Sequence, residues 1–329
     1  MTAGQPTTIE HPRPRIVVSR CLGFAACRYN GEVLPERFID RLAPYVDFVT
    51  VCPEVEIGLG TPRDPVRLVT KGNVRHLLQP ATGLDVTTRM HQFNTRFLDG
   101  VGDVDGFILK SRSPSCGLLD AKHYPTVEKS VALGRTAGLF GAAVLDRLGH
   151  LAVEDEARLL NLDLREHFLR KLYALARLRG LRARPSMAGL VAFHASHKLL
   201  FMACGEKQLR LLGRIVANPD RHRLPRVLER YEEVFRQGFA RPARRGPMTN
   251  SMMHAFGYFS DRLSGRERQH FLRALERYRK EQCPVTAPLI LLRSWIERFG
   301  EPYLAGQVFF DPFPEDLVQL TDSGKGREM

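Results

Sequence analysis

The chain has 329 residues, with 49 Lys and Arg against 36 Asp and Glu, a formal net charge of +13 at pH 7, and 43% hydrophobic residues. This length exceeds one ordinary core, so two domains are expected, and the composition excludes a disordered or fibrous protein. No apolar run is long enough to span a membrane, and six cysteines without an export signal do not make a disulfide framework. We therefore expect a cytoplasmic location, no membrane partner and no obligate protein partner.

Three apolar runs in the first half of the chain have the length of buried strands. Each run leads to a cysteine shortly past its carboxyl end: 15–19 with Cys21, 46–51 with Cys52, and 104–109 with Cys116. In an open parallel sheet, ligands bind along the edge where the strands end. The sequence therefore predicts a site built from these three cysteines.

Other segments of the first half alternate with those strands. Segments 36–42, 85–98 and 137–148 have helical spacing, segment 65–70 is extended in pattern, and 151–153 is a short last strand. This alternation predicts an α/β N-terminal domain with a mostly parallel sheet, spanning about residues 1–155.

The second half of the chain is helical in pattern. A connecting helix is expected within 156–184, and six segments with helical spacing follow at 189–204, 207–217, 225–238, 248–263, 265–280 and 288–299. They predict an all-α C-terminal domain over 185–305, followed by a tail at 306–329. We expect the aromatic part of the tail, with Phe309, Phe310 and Phe313, to pack back on the protein.

The positive charge is concentrated in this helical part. Residues 1–150 hold 18 basic and 15 acidic residues, whereas residues 151–300 hold 29 basic and 15 acidic ones. Arginine on solvated helix faces is an alternative explanation, but it would not leave one half near neutrality. A basic domain attracts polyanions, so the sequence favours a nucleic-acid partner.

The spacing of the three strand-end cysteines does not decide between ligands and core residues. Their neighbours, in Cys-Pro-Glu and Ser-Pro-Ser-Cys-Gly, place carboxylate and hydroxyl groups beside the thiols and favour ligands. Three thiolates suit either zinc with one open position or a 4Fe-4S cluster with one free iron. Cys27 is an extra ligand or a bystander, whereas Cys204 and Cys283 are expected to be buried thiols.

Four motifs in the first half resemble the thiouracil desulfidase family over about residues 15–155. They are Ser19–Gly23, Arg28–Gly31, Val51–Glu54 and Lys110–Gly117. The second half, through segments 193–198 and 250–259, is similar to a helical domain often fused behind it. The two-domain arrangement resembles the tRNA 4-thiouridine desulfidases. Cys27 departs from the family pattern, because an aliphatic residue is common at that position.

The resemblance implies a 4Fe-4S cluster held by Cys21, Cys52 and Cys116. An iron without a protein ligand would act as a Lewis acid on the thiocarbonyl sulfur, so that sulfide leaves without net redox change. By resemblance, Glu54 activates water or relays a proton, and Ser113 binds the base edge or assists the transfer. The alternatives are a helix-start carboxylate for Glu54 and a turn hydroxyl for Ser113.

Several basic residues are candidates for contacts with the substrate. Arg28, Arg63 and Lys110 are expected to meet the base or a phosphate, with salt bridges as the alternative. The arginines expected to contact the tRNA backbone are Arg221, Arg223, Arg226, Arg244 and Arg245. His194 and His197 are three residues apart, a spacing that places two possible metal ligands on one helix face. No third ligand accompanies them, so we expect a packed or RNA-facing pair instead.

The sequence therefore predicts an iron–sulfur enzyme that converts 4-thiouridine in tRNA to uridine. A desulfidase of free thiouracil-type bases, whose basic domain serves oligomerisation, is the enzyme alternative. A nucleic-acid-binding redox sensor containing the cluster is the non-enzyme alternative.

Overall fold

The computed structural model describes residues 9–318, which contain nine strands and thirteen α-helices. The strands are β1 (Arg15–Ser19), β2 (Asp47–Val51), β3 (Arg67–Lys71), β4 (Val74–Gln79), β5 (Leu84–Asp85), β6 (Gly106–Leu109), β7 (Ala121–Tyr124), β8 (Gly134–Thr136) and β9 (Ala152–Asp155). The helices are α1 (Arg37–Leu42), α2 (Pro53–Glu56), α3 (Thr87–Gly100), α4 (Leu139–Leu148), α5 (Leu162–Ala183), α6 (Met187–Ser196), α7 (Lys198–Cys204), α8 (Glu206–Ala217), α9 (Leu224–Gly238), α10 (Arg245–Gly257), α11 (Gly265–Arg279), α12 (Thr286–Phe299) and α13 (Pro302–Ala305).

The main sheet has four strands in the order β2-β1-β6-β9, and every neighbouring pair is parallel. The residues Ile16–Val18 of β1 and Phe107–Leu109 of β6 are fully buried. Such continuous apolar runs are typical of parallel strands that are covered on both faces. An α/β N-terminal part followed by a helical part confirms the predicted fold class.

A second sheet of five short strands was not predicted from the sequence. Its order is β5-β4-β3-β7-β8, with one parallel pair, β3 and β7, among antiparallel neighbours. Strands such as β7, with the sequence Ala-Lys-His-Tyr, are short and mostly polar. They therefore lack the apolar run that identifies a buried strand in a sequence.

The described chain divides into two compact units. One unit is Arg13–Ala176 with residues 316–318, and the other is Arg177–Glu315 with residues 9–12. Helix α5 begins in the first unit and ends in the second, because the division falls within it. The domain boundaries expected from the sequence, near residues 155 and 185, stay a prediction.

The helical unit differs from the prediction where one helix was expected over 189–204. The structure has two helices there, α6 and α7, which meet at a 61° bend. At the bend the Ser196 hydroxyl donates to the Phe193 carbonyl (3.0 Å), and the His197 Nδ1 lies 2.8 Å from the same oxygen. Side chains that bond the backbone in this way compete with the regular helical pattern.

Two further features of the helical unit bear on the predictions. The tail aromatics Phe309, Phe310 and Phe313 are buried, as expected. Among the described residues, no single helix is both long and apolar enough to cross a membrane; by length and composition alone, only the bent pair α6 and α7 would pass.

Candidate active site

The three strand-end cysteines line one cavity of about 590 Å³. Cys21 lies two residues past β1, Cys52 directly follows β2, and Cys116 lies in the loop after β6. Because these strands are adjacent and parallel in the order β2-β1-β6, their carboxyl ends deliver the three thiols to the same edge of the sheet.

The loop that carries Cys116 is fixed by its own hydrogen bonds and by helix α4. The Ser113 hydroxyl oxygen accepts the backbone N–H groups of Ser115 (3.2 Å) and Cys116 (3.0 Å). The Ser115 carbonyl accepts N–H groups of Phe140 (2.9 Å) and Gly141 (3.0 Å) in the first turn of α4. The loop thus satisfies donors that a helix start leaves without partners, and this anchors Cys116.

Burial in the cavity wall keeps the thiols of Cys21 and Cys116 protonated in the protein alone. Burial, and then the neighbouring Cys52, raise the pKa of Cys21 to about 11. Burial also raises the pKa of Cys116 well above its usual value. Thiols in general lose their protons when they bind a metal.

A fourth thiol, that of Cys27, lies in the same cavity and is buried. The Cys27 carbonyl accepts a hydrogen bond from the Cys52 thiol (3.6 Å) and one from Arg63 Nη1 (3.0 Å). Burial, followed by the Cys52 thiol, raises the pKa of Cys27 to about 12. Cys27 is therefore a neighbour of the three expected ligands.

The arrangement of donors bears on which metal group would fit. Within residues 9–318, no three His, Cys, Asp or Glu side chains converge closely enough to hold a single ion. Each cysteine of a 4Fe-4S cluster binds a different iron, so its sulfurs are spread more widely than the ligands of one ion. Three thiols that line one cavity are the donor set that a 4Fe-4S cluster with one free iron uses.

Glu54 is held in the cavity wall by two partners. Its Oε2 accepts hydrogen bonds from Arg63 Nε (2.9 Å) and Nη2 (2.6 Å), and its Oε1 accepts one from the Ser115 hydroxyl (2.8 Å). Only 9% of Glu54 is exposed, and Ser115 is fully buried. Charge-assisted bonds of this kind fix the orientation of a carboxylate.

Sequence analysis predicted Ser113 as a site residue but did not predict Ser115. Both hydroxyls belong to the same Ser-Pro-Ser-Cys motif, and the motif does not tell which one reaches Glu54, 61 residues away in the chain. The Ser113 oxygen accepts two backbone N–H groups, and among residues 9–318 no acceptor takes its hydroxyl hydrogen, which can therefore bind a ligand in the cavity that Ser113 lines.

The other predicted basic residues of this unit line the cavity as well. Lys110 forms an ion pair with the buried Glu156, whose carboxylate also accepts the backbone N–H (2.7 Å) and the hydroxyl (2.6 Å) of Ser111. Arg28 pairs with Glu32 (3.2 Å) and lies at the cavity wall. Arg63 and Lys110 therefore each serve a buried carboxylate.

The predicted RNA-contacting arginines lie in the helical unit. Arg221, Arg223, Arg226 and Arg244 are exposed, whereas Arg245 is half-buried, pairs with Glu281 (3.1 Å) and donates to the Tyr278 carbonyl (3.0 Å). Arg223 precedes the first residue of α9, and Arg244 precedes that of α10. Helix N-termini carry partial positive charge, which adds to that of the arginines.

The two histidines of the helical unit are packed among aromatic rings. The His197 ring stacks on Phe193 at 4.0 Å between centroids, and His194 Nδ1 lies 3.2 Å from the Tyr231 hydroxyl. Burial lowers the pKa of His197 to about 3, so it stays neutral. The expectation of a packed pair is thus the one that this geometry favours.

Comparison with known proteins assigns both halves of the chain. Residues 16–156 match the family described as 2-thiouracil desulfurase. The chain belongs to this desulfurase family. Residues 198–314 match a protein family of unknown function, DUF1722, so the chain carries that domain behind the desulfurase region.

Curated relatives and one solved structure match the chain in part. The uncharacterized protein YbgA of Escherichia coli (strain K12) is 30% identical over 159 residues, which are 47% of this chain and 92% of that protein. The uncharacterized protein YbbK of Bacillus subtilis (strain 168) is 34% identical over 111 residues, 31% of this chain and 72% of that protein. A structure described as the [4Fe-4S]-dependent thiouracil desulfidase TudS is 30% identical, covers 45% of this chain and 93% of its own, and has a TM-score of 0.35.

Proposed function

We propose that this protein removes sulfur from 4-thiouridine in tRNA, with a 4Fe-4S cluster as cofactor. The net reaction joins one thiocarbonyl and one water to give one carbonyl and one hydrogen sulfide, so no electron donor or acceptor is needed. The observation that carries the proposal is the convergence of Cys21, Cys52 and Cys116 on one cavity that also contains Glu54.

The residues of the cavity fit the cluster by the chemistry of their donors. Cys21, Cys52 and Cys116 would hold three of its irons. When bound, the cluster would supply an iron without a protein ligand, a Lewis acid suited to the soft thiocarbonyl sulfur. The cavity, at about 590 Å³, has the size of a small-molecule site.

The chain's own residues would supply the proton chemistry. Glu54 is the candidate general base for the attacking water, because it is the carboxylate in the wall beside the cysteines. Arg63 and Ser115 hold it in one orientation from opposite oxygens. The Ser113 hydroxyl hydrogen is available to a carbonyl or ring nitrogen of the base.

The charge of the helical part supports tRNA as the substrate. Its exposed arginines would neutralise backbone phosphates, which a free base lacks. A thiolated base within folded RNA has to leave its stack to reach a cavity, and backbone contacts offset the cost of unstacking. Free 2-thiouracil is the second candidate, because the description of the matching family names that base.

Anaerobic incubation with each substrate tests the proposal. The reconstituted full-length protein is incubated with bulk bacterial tRNA or with free 2-thiouracil, and the products are measured by nucleoside mass spectrometry and sulfide assay. With the control variant Cys283→Ala, whose changed residue lies in the helical unit, we expect the 4-thiouridine content of the tRNA to fall and its uridine content to rise. With Cys116→Ala, neither content should change. Turnover of 2-thiouracil with untouched tRNA would favour the second candidate, and turnover of neither would overturn the desulfurase proposal.

A further inference from the structure

A second cavity, of about 610 Å³, lies beside the cysteine cavity in the same compact unit. Pro65, Val66, Arg112 and Pro114 line both cavities, so the two share a wall. The second cavity is built on the small five-stranded sheet, with lining residues from β3, β7 and β8. No predicted site residue from the sequence lines it.

Four of the residues that line this second cavity are cationic: Arg67, Arg112, Lys122 and Arg135. One carboxylate, that of Asp120, also lines it, and this carboxylate accepts the backbone N–H of Arg112 (2.7 Å). That bond holds Arg112 in the left-handed conformation (φ 58°), which side-chain-bearing residues rarely adopt. The cavity therefore has a clear excess of positive charge.

Lys122 and Arg135 face each other across the β7–β8 ladder. They are register partners, so two like charges stand directly opposite one another on adjacent strands. Such a pair destabilises a sheet. Within residues 9–318, neither side chain has an acidic partner within salt-bridge distance. An anion bound between them would remove the repulsion.

Arg67 has a different, structural role in the same cavity. Its guanidinium stacks on the Tyr124 ring at 3.6 Å from the centroid and donates to the carbonyls of Val127 (3.0 Å) and Glu128 (2.5 Å). This fixes the loop that joins β7 to β8. Lys122 and Arg135 flank that loop on the paired strands β7 and β8, and both are exposed, so an anion can reach them from solvent.

We propose that this cavity binds phosphate groups of the RNA strand that continues from the thiolated nucleotide. The inference rests on the proposed function, because the thiolated base would occupy the adjoining cysteine cavity. Phosphate is the anion that arginine and lysine bind in nucleic acids, and the shared wall lets one strand enter both cavities. The desulfurase region would then contact the substrate backbone itself, in addition to the arginines of the helical part.

Binding of unmodified RNA tests the inference independently of turnover. The probe is a fluorescein-labelled single-stranded RNA oligonucleotide, titrated with the full-length protein by fluorescence anisotropy at several salt concentrations. The variant Lys122→Gln/Arg135→Gln removes two charges that line only the second cavity. The matched control, Arg89→Gln/Arg96→Gln, removes two exposed arginines of α3 that line neither cavity.

We expect the slope of log K against log salt to fall by about 1.4 in the Lys122/Arg135 variant, at about 0.7 for each phosphate that the protein no longer neutralises. The control should keep the wild-type slope. Equal slopes in all three proteins, or equal decreases in both variants, would overturn the inference.

The KM values of substrates with and without phosphate groups show which phosphate the second cavity binds. The KM for a thiolated oligonucleotide should rise several-fold in the Lys122/Arg135 variant, whereas the KM for the free base should not change. A KM that also rises for 4-thiouridine 5′-monophosphate would assign the phosphate to the thiolated nucleotide itself. If the wild-type protein turns over no thiolated substrate, the proposed function fails while the anisotropy result still decides the anion site.

Discussion

The ion pair between Arg63 and Glu54 offers the sharpest test of how the site is built. Both side chains are largely buried, at 4% and 12% exposure, and Arg63 Nη2 lies 2.6 Å from the Glu54 carboxylate. Replacing Arg63 by Met leaves the Glu54 charge without an ionic partner in a desolvated wall, where only the Ser115 hydroxyl still donates to it. Breaking a buried pair in this way costs about 3–5 kcal/mol of unfolding free energy.

A nearby exposed pair serves as the matched control. Arg20 and Glu56 also lie 2.7 Å apart, and Glu56 is on the same short helix as Glu54, but their side chains are 29% and 38% exposed. Exposed pairs contribute at most about 1 kcal/mol, so Arg20→Met should have little effect. The contrast separates burial from proximity, because the two pairs have nearly equal N–O distances.

Urea unfolding of the cluster-free protein, under reducing conditions, measures both effects. Far-UV circular dichroism is the probe, because the single tryptophan, Trp295, lies in the other compact unit. The double variant Glu54→Gln/Arg63→Met should lose less unfolding free energy than the sum of the losses in the two single variants, because it leaves no unpaired charge. A cost for Arg63→Met below about 1 kcal/mol, or full additivity, would refute the reasoning.

Two further predictions concern stability. Burial raises the pKa of Asp155 from 3.8 to about 7, so wild-type stability should fall as pH rises from about 4 to about 7, by roughly 4 kcal/mol, while Asp155→Asn stays flatter. Thermal melts at pH 5 and pH 8 check this, and parallel pH profiles would contradict it. A Cβ at Gly141 would lie 2.3 Å from the Gly117 carbonyl, so Gly141→Ala should cost about 1–3 kcal/mol and loosen the Cys116 loop. A Cβ at Gly180 in α5 would meet no atom within 4 Å, so Gly180→Ala should instead stabilise the protein by about 0.5–1 kcal/mol. Similar shifts in melting temperature for the two variants would contradict the packing argument.

The convergence of the three cysteines on one sheet edge could be predicted from the sequence because its determinants are local. Each of the three thiols follows an apolar run whose length and neighbours indicate a buried parallel strand, and the edge rule then places them together. The order β2-β1-β6 confirms that reasoning.

The interior contacts of the site could not be predicted in the same way. The Ser115 hydroxyl meets Glu54 across 61 residues, and Lys110 meets Glu156 across 46. Such pairs depend on how loops fold over the sheet edge, and local periodicity carries no information about that. The sheet formed around β3 was missed for a related reason, since its partners β7 and β8 are short and polar, and only β3 overlaps the predicted extended segment 65–70.

The helix break at His197 shows another limit of periodicity. The segment 189–204 has one continuous apolar pattern, and the bend arises from polar side chains that bond the Phe193 carbonyl. A hydrophobic pattern records which face is buried but not where the backbone turns.

Iron and sulfide analysis of cysteine variants tests the central claim most directly. The wild-type protein, purified without oxygen, should hold about four irons and about four sulfides per chain. Its visible spectrum should show the absorption of a 4Fe-4S cluster. Cys21→Ser, Cys52→Ser and Cys116→Ser should each lose the cluster, whereas Cys204→Ser and Cys283→Ser, in the helical unit, should retain it. One equivalent of zinc in the wild-type protein, or full iron content in the three strand-end variants, would contradict the account.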